Sequence, residues 1–235
     1  MTSGFRAQRE IVQQEWRPPV MRQYDASEVA RLFPDYVRDE QCLILLVHEG
    51  PSSRVDAEIH AVESIMAELG LNPADGAAAQ GWMGHRNTVP EWRDLLEQGL
   101  IADTIEVSGT WSRIGAIYKD VVAALKMVPD CVNASAHSSH VYRSGINLYF
   151  TFACTPEDAS VMGDRYLESW DRALTATAEA GGGIAHHHGS GRLRRDYLHH
   201  DLGENGLALM RKLKQAIDPQ DIFNPGNLLP LEDAD

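Results

Sequence analysis

The segment CVNASAHSSHVYRSGINLYFTFAC, residues 131–154, alternates apolar and polar side chains on both sides of Arg143-Ser144-Gly145. Such alternation is typical of strands with one buried face, and a glycine-containing turn between two such runs is typical of a β-hairpin. We therefore predict two antiparallel strands, over residues 131–142 and 146–154. This hairpin favours an antiparallel sheet as the centre of the fold.

Strand and helix patterns continue on both sides of the hairpin. Residues 41–48, QCLILLVH, and residues 100–107 fit buried strands. In residues 53–69 and 110–128 the apolar positions recur every three or four residues, which places them on one face of a helix, and a long helix is expected over 156–179. The sequence predicts an α+β fold, a mostly antiparallel sheet with helices on one face, followed by a short C-terminal helical segment.

The rest of the chain divides into regions of different composition. Residues 1–17 are polar and run into Pro18-Pro19, so we predict an arm or linker there. Residues 18–180 hold the predicted sheet and its helices, and the Ala, Gly, Asp and Pro content of residues 71–81 predicts a loop among them. Residues 181–235 begin with glycines and histidines and continue as an amphipathic helix.

The overall composition is that of an average soluble globule, and the charge excludes one class of partner. Of 235 residues, 43% are hydrophobic and 23% are charged, and the formal net charge is −13. Nonspecific binding to nucleic acid depends on Lys and Arg neutralising phosphates, so we expect no nucleic-acid partner. A few converging arginines can still create a local positive field, which leaves an anionic small-molecule substrate open.

Cysteine content and hydropathy predict the compartment. Cys42, Cys131 and Cys154 are far apart and lack C-x-x-C spacing, so we expect no disulfide framework, no zinc site and a cytoplasmic location. The longest apolar run, residues 42–47, is far shorter than the roughly 20 residues of a membrane helix. We therefore expect no membrane span.

The most unusual segment is GGGIAHHHGSGRLRR, residues 181–195, in which three adjacent histidines are framed by glycines. Glycines allow the backbone to approach a ligand closely, and imidazoles exchange protons near neutral pH, so the pattern is typical of a reaction centre. Three other interpretations are open. The segment resembles a purification tag, although its internal position argues against one. It could be a metal site in which only His186 and His188 converge, or a solvated surface loop.

These residues resemble a known family. The run HHHGSGRLR, a tyrosine-bearing helix after it and the ending DPQDIFNPGNLL, residues 218–229, resemble the C-terminal region of FAD-linked oxidases of the vanillyl-alcohol oxidase superfamily. The branch of alkyldihydroxyacetonephosphate synthase is the most similar. Its further motifs match, in the same order, residues 19–22 (PVMR), Arg93-Asp94, residues 106–111 (EVSGTW) and residues 147–150 (NLYF). The resemblance covers residues 18–229.

The resemblance implies catalytic roles for four residues. Tyr149 would be the acid or base that moves a proton on the substrate carbon. His186, His187 and His188 would line the site beside the flavin. The alternative for Tyr149 is a strand tyrosine that packs its ring against the sheet.

The resemblance also implies binding roles. Arg93 would hold an anionic substrate group, phosphate in the synthase, and Arg22 would lie near the same cavity, since a guanidinium makes paired, charge-assisted hydrogen bonds to phosphate or carboxylate. The alternative for both arginines is an ordinary surface position. His186, His188 and Asn224 would contact FAD, and no metal is expected.

The family's domain organisation sets the expected partners. Residues 18–180 would be the substrate-binding cap domain, and residues 181–235 would pack on a flavin-binding domain. The superfamily binds FAD mainly through that separate domain and its glycine-rich pyrophosphate loop, which we do not find in this chain. FAD binding is therefore expected to need a flavin-binding domain or subunit, and an uncovered face would also favour self-association. The expected function is the catalytic half of an FAD-dependent oxidoreductase or synthase, and the alternative is a noncatalytic truncated paralogue that binds a ligand or a partner.

Overall fold

The computed structural model describes residues 1–229. The strands are β1 (Val20–Tyr24), β2 (Leu43–Val47), β3 (Ile101–Thr110), β4 (Cys131–Ser138) and β5 (Gly145–Cys154). The helices are α1 (Thr2–Gln13), α2 (Ala26–Leu32), α3 (Ser52–Glu68), α4 (Ala77–His85), α5 (Trp92–Glu97), α6 (Ile114–Lys126), α7 (Met162–Glu179), α8 (Gly191–Arg194) and α9 (Leu198–Ile217). The predicted α+β class is confirmed.

All five strands form one antiparallel sheet in the order β2-β1-β4-β5-β3. The predicted hairpin is β4 and β5, in which His137 lies opposite Tyr149. On its other side β5 pairs with β3, which places Glu106 opposite Tyr149 and Ile105 opposite Phe150. Because side chains alternate along a strand, His137, Tyr149 and Glu106 share one face of the sheet, and Phe150 and Ile105 share the other.

The main core lies on the face that carries Phe150. Side chains of α6 and α7 fill it, among them the fully buried Ile117, Leu125 and Leu174. Burying a side chain of this size stabilises a fold by about 1.5–3 kcal/mol. The helices α1 and α3 extend this layer over β1 through a second apolar cluster that includes Val62. The predicted layer of helices packed on an antiparallel sheet is thus confirmed.

The opposite face is covered at its β1–β2 end by the two helices α2 and α4. Tyr24 and Leu45 of the strands pack there against Val29 of α2 and Ala78 of α4. Helix α2 was not predicted from the sequence, and residues 71–81, which were predicted as a loop, include the start of α4. The reason is that α2 and α4 are short and bury only one apolar side chain each, so their periodicity is weak.

The N-terminal prediction was wrong, because α1 occupies most of the predicted arm. Phe5, Ile11 and Val12 are buried on one side of this helix. The polar Gln8 lies on the same side, fully buried, and donates from Nε2 to Oε1 of Gln23 at 2.7 Å. A buried glutamine interrupts the apolar stripe that marks an amphipathic helix, which is why the segment reads as polar.

The glycine-rich start of the C-terminal region attaches to the edge strand β3. The amide of Ser108 donates to the carbonyl of Gly183 at 3.0 Å, and the amide of Gly183 donates back at 2.8 Å. These bonds fix the base of the histidine loop, which we define as residues 184–189. From there the chain continues through α8 into α9, which is interrupted at Gly203 by a φ of 65°. Residues 230–235 of the predicted C-terminal segment lie outside the described residues. No helix within residues 1–229 is long and apolar enough to cross a membrane.

Gly182 is expected to tolerate no side chain. A Cβ atom at this position would lie 2.8 Å from Thr177 Cγ2 and 2.9 Å from Ile117 Cδ1. Gly182→Ala should therefore lower the free energy of unfolding by roughly 1–3 kcal/mol, measured by urea denaturation. The matched control is Gly115→Ala in α6, where nothing lies within 4 Å of the new Cβ and alanine favours the helix. Equal stability of the two variants would contradict the close contact between the loop and the core.

Candidate active site

Tyr149 and the histidine loop meet on the sheet face opposite the main core. The hydroxyl of Tyr149 lies 3.0 Å from Nε2 of His187. The hydroxyl of Tyr142, in the turn before β5, lies 3.0 Å from Nε2 of His186. The structure therefore brings together Tyr149 and the three histidines that the sequence analysis selected, with the side chain of His187 still 42% exposed.

A buried carboxylate, Glu106 of β3, holds the loop in place. The side chain is fully buried, and Oε1 accepts a hydrogen bond from Asn147 Nδ2 at 2.9 Å. Oε1 also contacts Nδ1 of His186 at 2.8 Å and Nδ1 of His187 at 2.6 Å. Oε2 accepts the backbone amides of His187 at 3.1 Å and His188 at 3.2 Å. Glu106 is thus the common anchor of the site, and the sequence analysis assigned it no role.

The electrostatics of the site follow from this arrangement. Burial alone would raise the pKa of Glu106, but the hydrogen bonds from Asn147, His188 and His186 lower it to about 2, so the carboxylate stays anionic. Burial lowers the pKa of His188. The pKa of His140 is lowered by burial and by the neighbouring His187 and His186. Neutral imidazoles therefore lie beside a permanent negative charge.

The ring of Tyr149 is held by a stack on the sheet surface. The imidazole of His137 lies flat on it, with ring centroids 4.8 Å apart and planes 9° apart. Tyr24 stacks on the other face of His137 at 5.3 Å. The ring of Tyr149 therefore packs against the sheet, as in the alternative interpretation of this residue, while its hydroxyl points to the histidine loop.

A second buried carboxylate lies under this stack. Glu28 is fully buried, and its carboxylate accepts from Ser135 Oγ at 3.0 Å and from Arg31 Nη2 at 2.7 Å. Nδ1 of His137 lies 3.8 Å from it. Burial would raise the pKa of Glu28, but His137 and Arg31 lower it to about 2. The histidine loop and the His137 ring thus each lie beside a carboxylate that stays charged.

Acid is expected to unfold the protein through these two carboxylates. Glu28 and Glu106 have an ordinary pKa of 4.5 and a folded pKa of about 2. A carboxylate whose pKa is lowered by folding stabilises the folded state fully at pH values above its pKa in the unfolded chain. This contribution is lost as the pH falls through its pKa in the folded protein. Each should contribute roughly 2–3 kcal/mol above pH 4.5 that disappears towards pH 2. Urea denaturation between these pH values should show a smaller loss in Glu28→Gln, and an identical slope in that variant would contradict the assignment.

The other three residues predicted to bind substrate or cofactor lie in different parts of the fold. Arg22 of β1 is half-buried, and its guanidinium carbon lies 5.0 Å from the centroid of the Trp82 indole. Arg93 of α5 is exposed, and the structure does not bring it to the histidine loop. The neighbouring Trp92 packs on Tyr166 of α7, on the core side of the sheet. Asn224 is exposed in the turn after α9, with a φ of 48°, and is likewise apart from the histidines.

Three histidines of the site lie close enough together to be considered as metal ligands. Ring nitrogens of His140, His186 and His187 lie within 4.8 Å of one another, the one such group found among the described residues. It differs from the pair of His186 and His188 considered from sequence. The Nδ1 atoms of His186 and His187 are engaged with Glu106. The expectation of no metal stays a prediction.

Fold comparison gives the class of protein. The solved structure of an alkyldihydroxyacetonephosphate synthase covers 96% of this chain with a TM-score of 0.65 at 24% sequence identity, and the chain covers 42% of that structure. The fold is that of the C-terminal cap domain of FAD-linked oxidases. Residues 1–228 match the family described as FAD linked oxidases, C-terminal domain. The chain belongs to that family, and the resemblance drawn from its motifs is confirmed.

Curated relatives of the chain include an FAD-linked oxidoreductase and a synthase. It is 30% identical over 250 residues to an uncharacterized FAD-linked oxidoreductase, YgcU, of Escherichia coli K12, covering 99% of this chain and 50% of the relative. It is 27% identical over 215 residues to the alkyldihydroxyacetonephosphate synthase of Dictyostelium discoideum, covering 87% of this chain and 35% of the relative. The chain thus spans about half the length, or less, of these relatives.

Proposed function

We propose that this chain is the substrate-binding and catalytic half of an FAD-dependent enzyme, in which Tyr149 exchanges a proton with the substrate carbon. The observation that carries the proposal is the contact between the Tyr149 hydroxyl and Nε2 of His187, 3.0 Å long, on a partly exposed surface. General acid–base catalysis requires a titratable group within hydrogen-bond reach of its partner and open to the substrate.

The hydrogen-bond network supports a direction for the proton. Because the Glu106 carboxylate is anionic, its oxygens can only accept, so the Nδ1 atom of His186 that contacts Oε1 at 2.8 Å carries a hydrogen. We assign the hydrogen of the neutral His187 ring to Nδ1, which lies 2.6 Å from the Glu106 carboxylate, so that Nε2 accepts from the Tyr149 hydroxyl. When the phenol oxygen takes a proton from the substrate carbon, it can pass its own proton to His187. The carboxylate would stabilise the imidazolium that forms, as in other carboxylate–histidine–hydroxyl arrangements.

The exposed rim of the site fits a flavin ring system. Tyr149 and the partly exposed His187 and His188 offer aromatic faces and ring nitrogens to a planar ligand with polar edges. We assign the contacts with FAD to His186 and His188, and assign Asn224 to the same cofactor from the family motif. The flavin would supply the redox or group-transfer chemistry when bound. A flavin-binding domain or subunit would hold most of it.

Two reaction types suit this arrangement. One is removal of a hydride from an alcohol or 2-hydroxy acid, and the other is exchange of an acyl group for a fatty alcohol without net redox, as the family resemblance implies. Relatives of both kinds are similar to the chain, such as the Dictyostelium synthase and a D-lactate dehydrogenase of Kluyveromyces lactis that is 42% identical over 125 residues. In either reaction Tyr149 would handle the proton, and an arginine would hold the anionic group.

The proposal is tested by turnover in the presence of the flavin-binding half. The chain is combined with FAD and that half, and assayed with D-lactate, with glycolate, and with an acyl-dihydroxyacetone phosphate plus a fatty alcohol. Turnover of one substrate class that needs both polypeptides is the expected result. Absence of turnover and of flavin retention would support the noncatalytic paralogue instead.

A further inference from the structure

A second tyrosine is joined to the same carboxylate as Tyr149. The hydroxyl of Tyr142 lies 3.0 Å from Nε2 of His186, and Nδ1 of His186 lies 2.8 Å from Oε1 of Glu106. The hydroxyl of Tyr149 lies 3.0 Å from Nε2 of His187, whose Nδ1 lies 2.6 Å from the same oxygen. The site therefore holds two hydroxyl–imidazole pairs on one carboxylate, and the proposed function uses only one of them.

The hydrogen bond of Tyr142 has a defined direction. Nδ1 of His186 carries a hydrogen, because the Glu106 oxygen that it contacts is anionic and can only accept. In the neutral ring Nε2 is then an acceptor, so the Tyr142 hydroxyl donates to it. The phenol oxygen can still accept a hydrogen bond from a ligand hydroxyl through its lone pairs. This is the arrangement that a general base needs before reaction.

The backbone around Tyr142 is fixed, although the residue is 46% exposed. The neighbouring Val141 forms a β-bridge with Ile146, and the amide of Tyr142 donates to the carbonyl of Gly145 at 2.8 Å. Nε1 of Trp111 donates to the carbonyl of Tyr142 at 3.1 Å. An exposed tyrosine can satisfy its hydroxyl with water, yet this hydroxyl is held on the histidine loop while the ring remains open to a ligand.

The shared carboxylate makes the two pairs act in turn. The Nδ1 atoms of His186 and His187 lie 3.0 Å apart, and two positive rings at this distance repel each other strongly. The single negative charge of Glu106 can stabilise one imidazolium. While one pair holds a proton, the other stays neutral, so the site can handle two protons in separate steps.

Both reaction types of the proposed function also remove a proton from an oxygen. This oxygen belongs to the hydroxyl of the alcohol or hydroxy acid in one reaction, and to the incoming fatty alcohol in the other. We propose that Tyr142 is a second catalytic residue, which takes this hydroxyl proton and passes its own proton to Nε2 of His186. The electron pair of the broken O–H bond stays on the substrate oxygen. It forms the carbonyl as the carbon loses its hydride, or the new carbon–oxygen bond as the acyl group leaves. The assignment rests on the proposed function and adds a residue that the sequence analysis did not select.

The test is steady-state turnover of the flavin-loaded enzyme with its active substrate class, measured for Tyr142→Phe and Tyr142→Ala with and without added imidazole. Tyr142→Phe should lose roughly 10²-fold in kcat with KM near wild type, at the lower end for general acid–base catalysis because water reaches this exposed position. Tyr142→Ala should lose as much, but it opens a space beside His186 in which imidazole can accept the hydroxyl proton. Added imidazole should therefore restore turnover in the alanine variant and not in the phenylalanine variant, whose ring fills the space.

The matched control is Tyr36→Phe, which removes a phenol hydroxyl away from the histidine loop and should keep wild-type kcat. Wild-type kcat in Tyr142→Phe would overturn the inference and leave the proposed function standing. Loss of turnover without rescue of the alanine variant, in proteins that match wild type in urea denaturation, would show that the hydroxyl only orients His186 and would also overturn the inference. Absence of turnover in wild type would contradict the proposed function itself, and this inference with it.

Discussion

Replacing Glu106 by alanine is expected to disorder the histidine loop and to lower the free energy of unfolding by roughly 3–5 kcal/mol. The carboxylate accepts from the Asn147 amide and from the backbone amides of His187 and His188, and both of its imidazole contacts are shorter than 3 Å. Its removal leaves these donors, of which Asn147 is fully buried, without this acceptor. Urea denaturation measures the stability, and histidine proton spectra report on the loop.

A second variant separates the charge of Glu106 from its shape, and a control variant shows the effect of removing an ordinary surface carboxylate. Glu106→Gln keeps the shape, but one of its two terminal atoms becomes a donor facing other donors, so it should be destabilised nearly as much as the alanine variant. Glu179→Ala, at an exposed position near the end of α7, is the control and should change stability by less than about 0.5 kcal/mol. A Glu106→Ala protein as stable as this control would contradict the anchoring role.

Removal of a single oxygen in Tyr149→Phe is expected to reduce turnover of the flavin-loaded enzyme by roughly 10²- to 10⁴-fold. The phenylalanine ring keeps the stack on His137, so the free energy of unfolding should change by only about 0.5–1.5 kcal/mol. The loss should appear in kcat, because the hydroxyl acts on the proton and does not hold the substrate. Steady-state kinetics with the active substrate class measures it.

The control for this change is Tyr36→Phe. Tyr36 is half-buried, and its hydroxyl donates to Asp75 at 2.5 Å, away from the histidine loop. It should lose no turnover. A Tyr149→Phe enzyme that retains wild-type kcat would show that another group carries the proton, and Tyr142, which contacts His186, would be the next to replace.

The sequence was sufficient to predict those elements whose structure is determined by a local pattern of residues. Alternation in residues 131–154 predicted the hairpin that places Tyr149, and the glycine-flanked histidines predicted a loop that meets it. Glu106 was missed because its role depends on register: it lies opposite Tyr149 only once β3 and β5 pair, and it meets histidines 80 or more positions later in the chain. The only signal was its place in the family motif of residues 106–111.

Other features could not be predicted from local sequence patterns, because they too depend on contacts between separate elements of the fold. Helix α1 was hidden because Gln8 interrupts its apolar stripe, and the partner that makes this burial acceptable, Gln23, is on another element. The contact of Arg22 with Trp82 has no motif either, because it depends on how α4 packs over β1 and β2. Tertiary contacts of this kind have no periodic signature in the chain.

We propose that the exposed cluster of Tyr149 and the histidine loop lies against a flavin held mainly by another domain or subunit. The most direct test is the visible absorbance of FAD retained through gel filtration by the flavin-binding half, measured without this chain, with it, and with its His188→Ala variant. Wild-type chain is expected to increase retention and to shift the flavin spectrum, and His188→Ala is expected to reduce the shift. Identical retention and spectra in all three samples would contradict it.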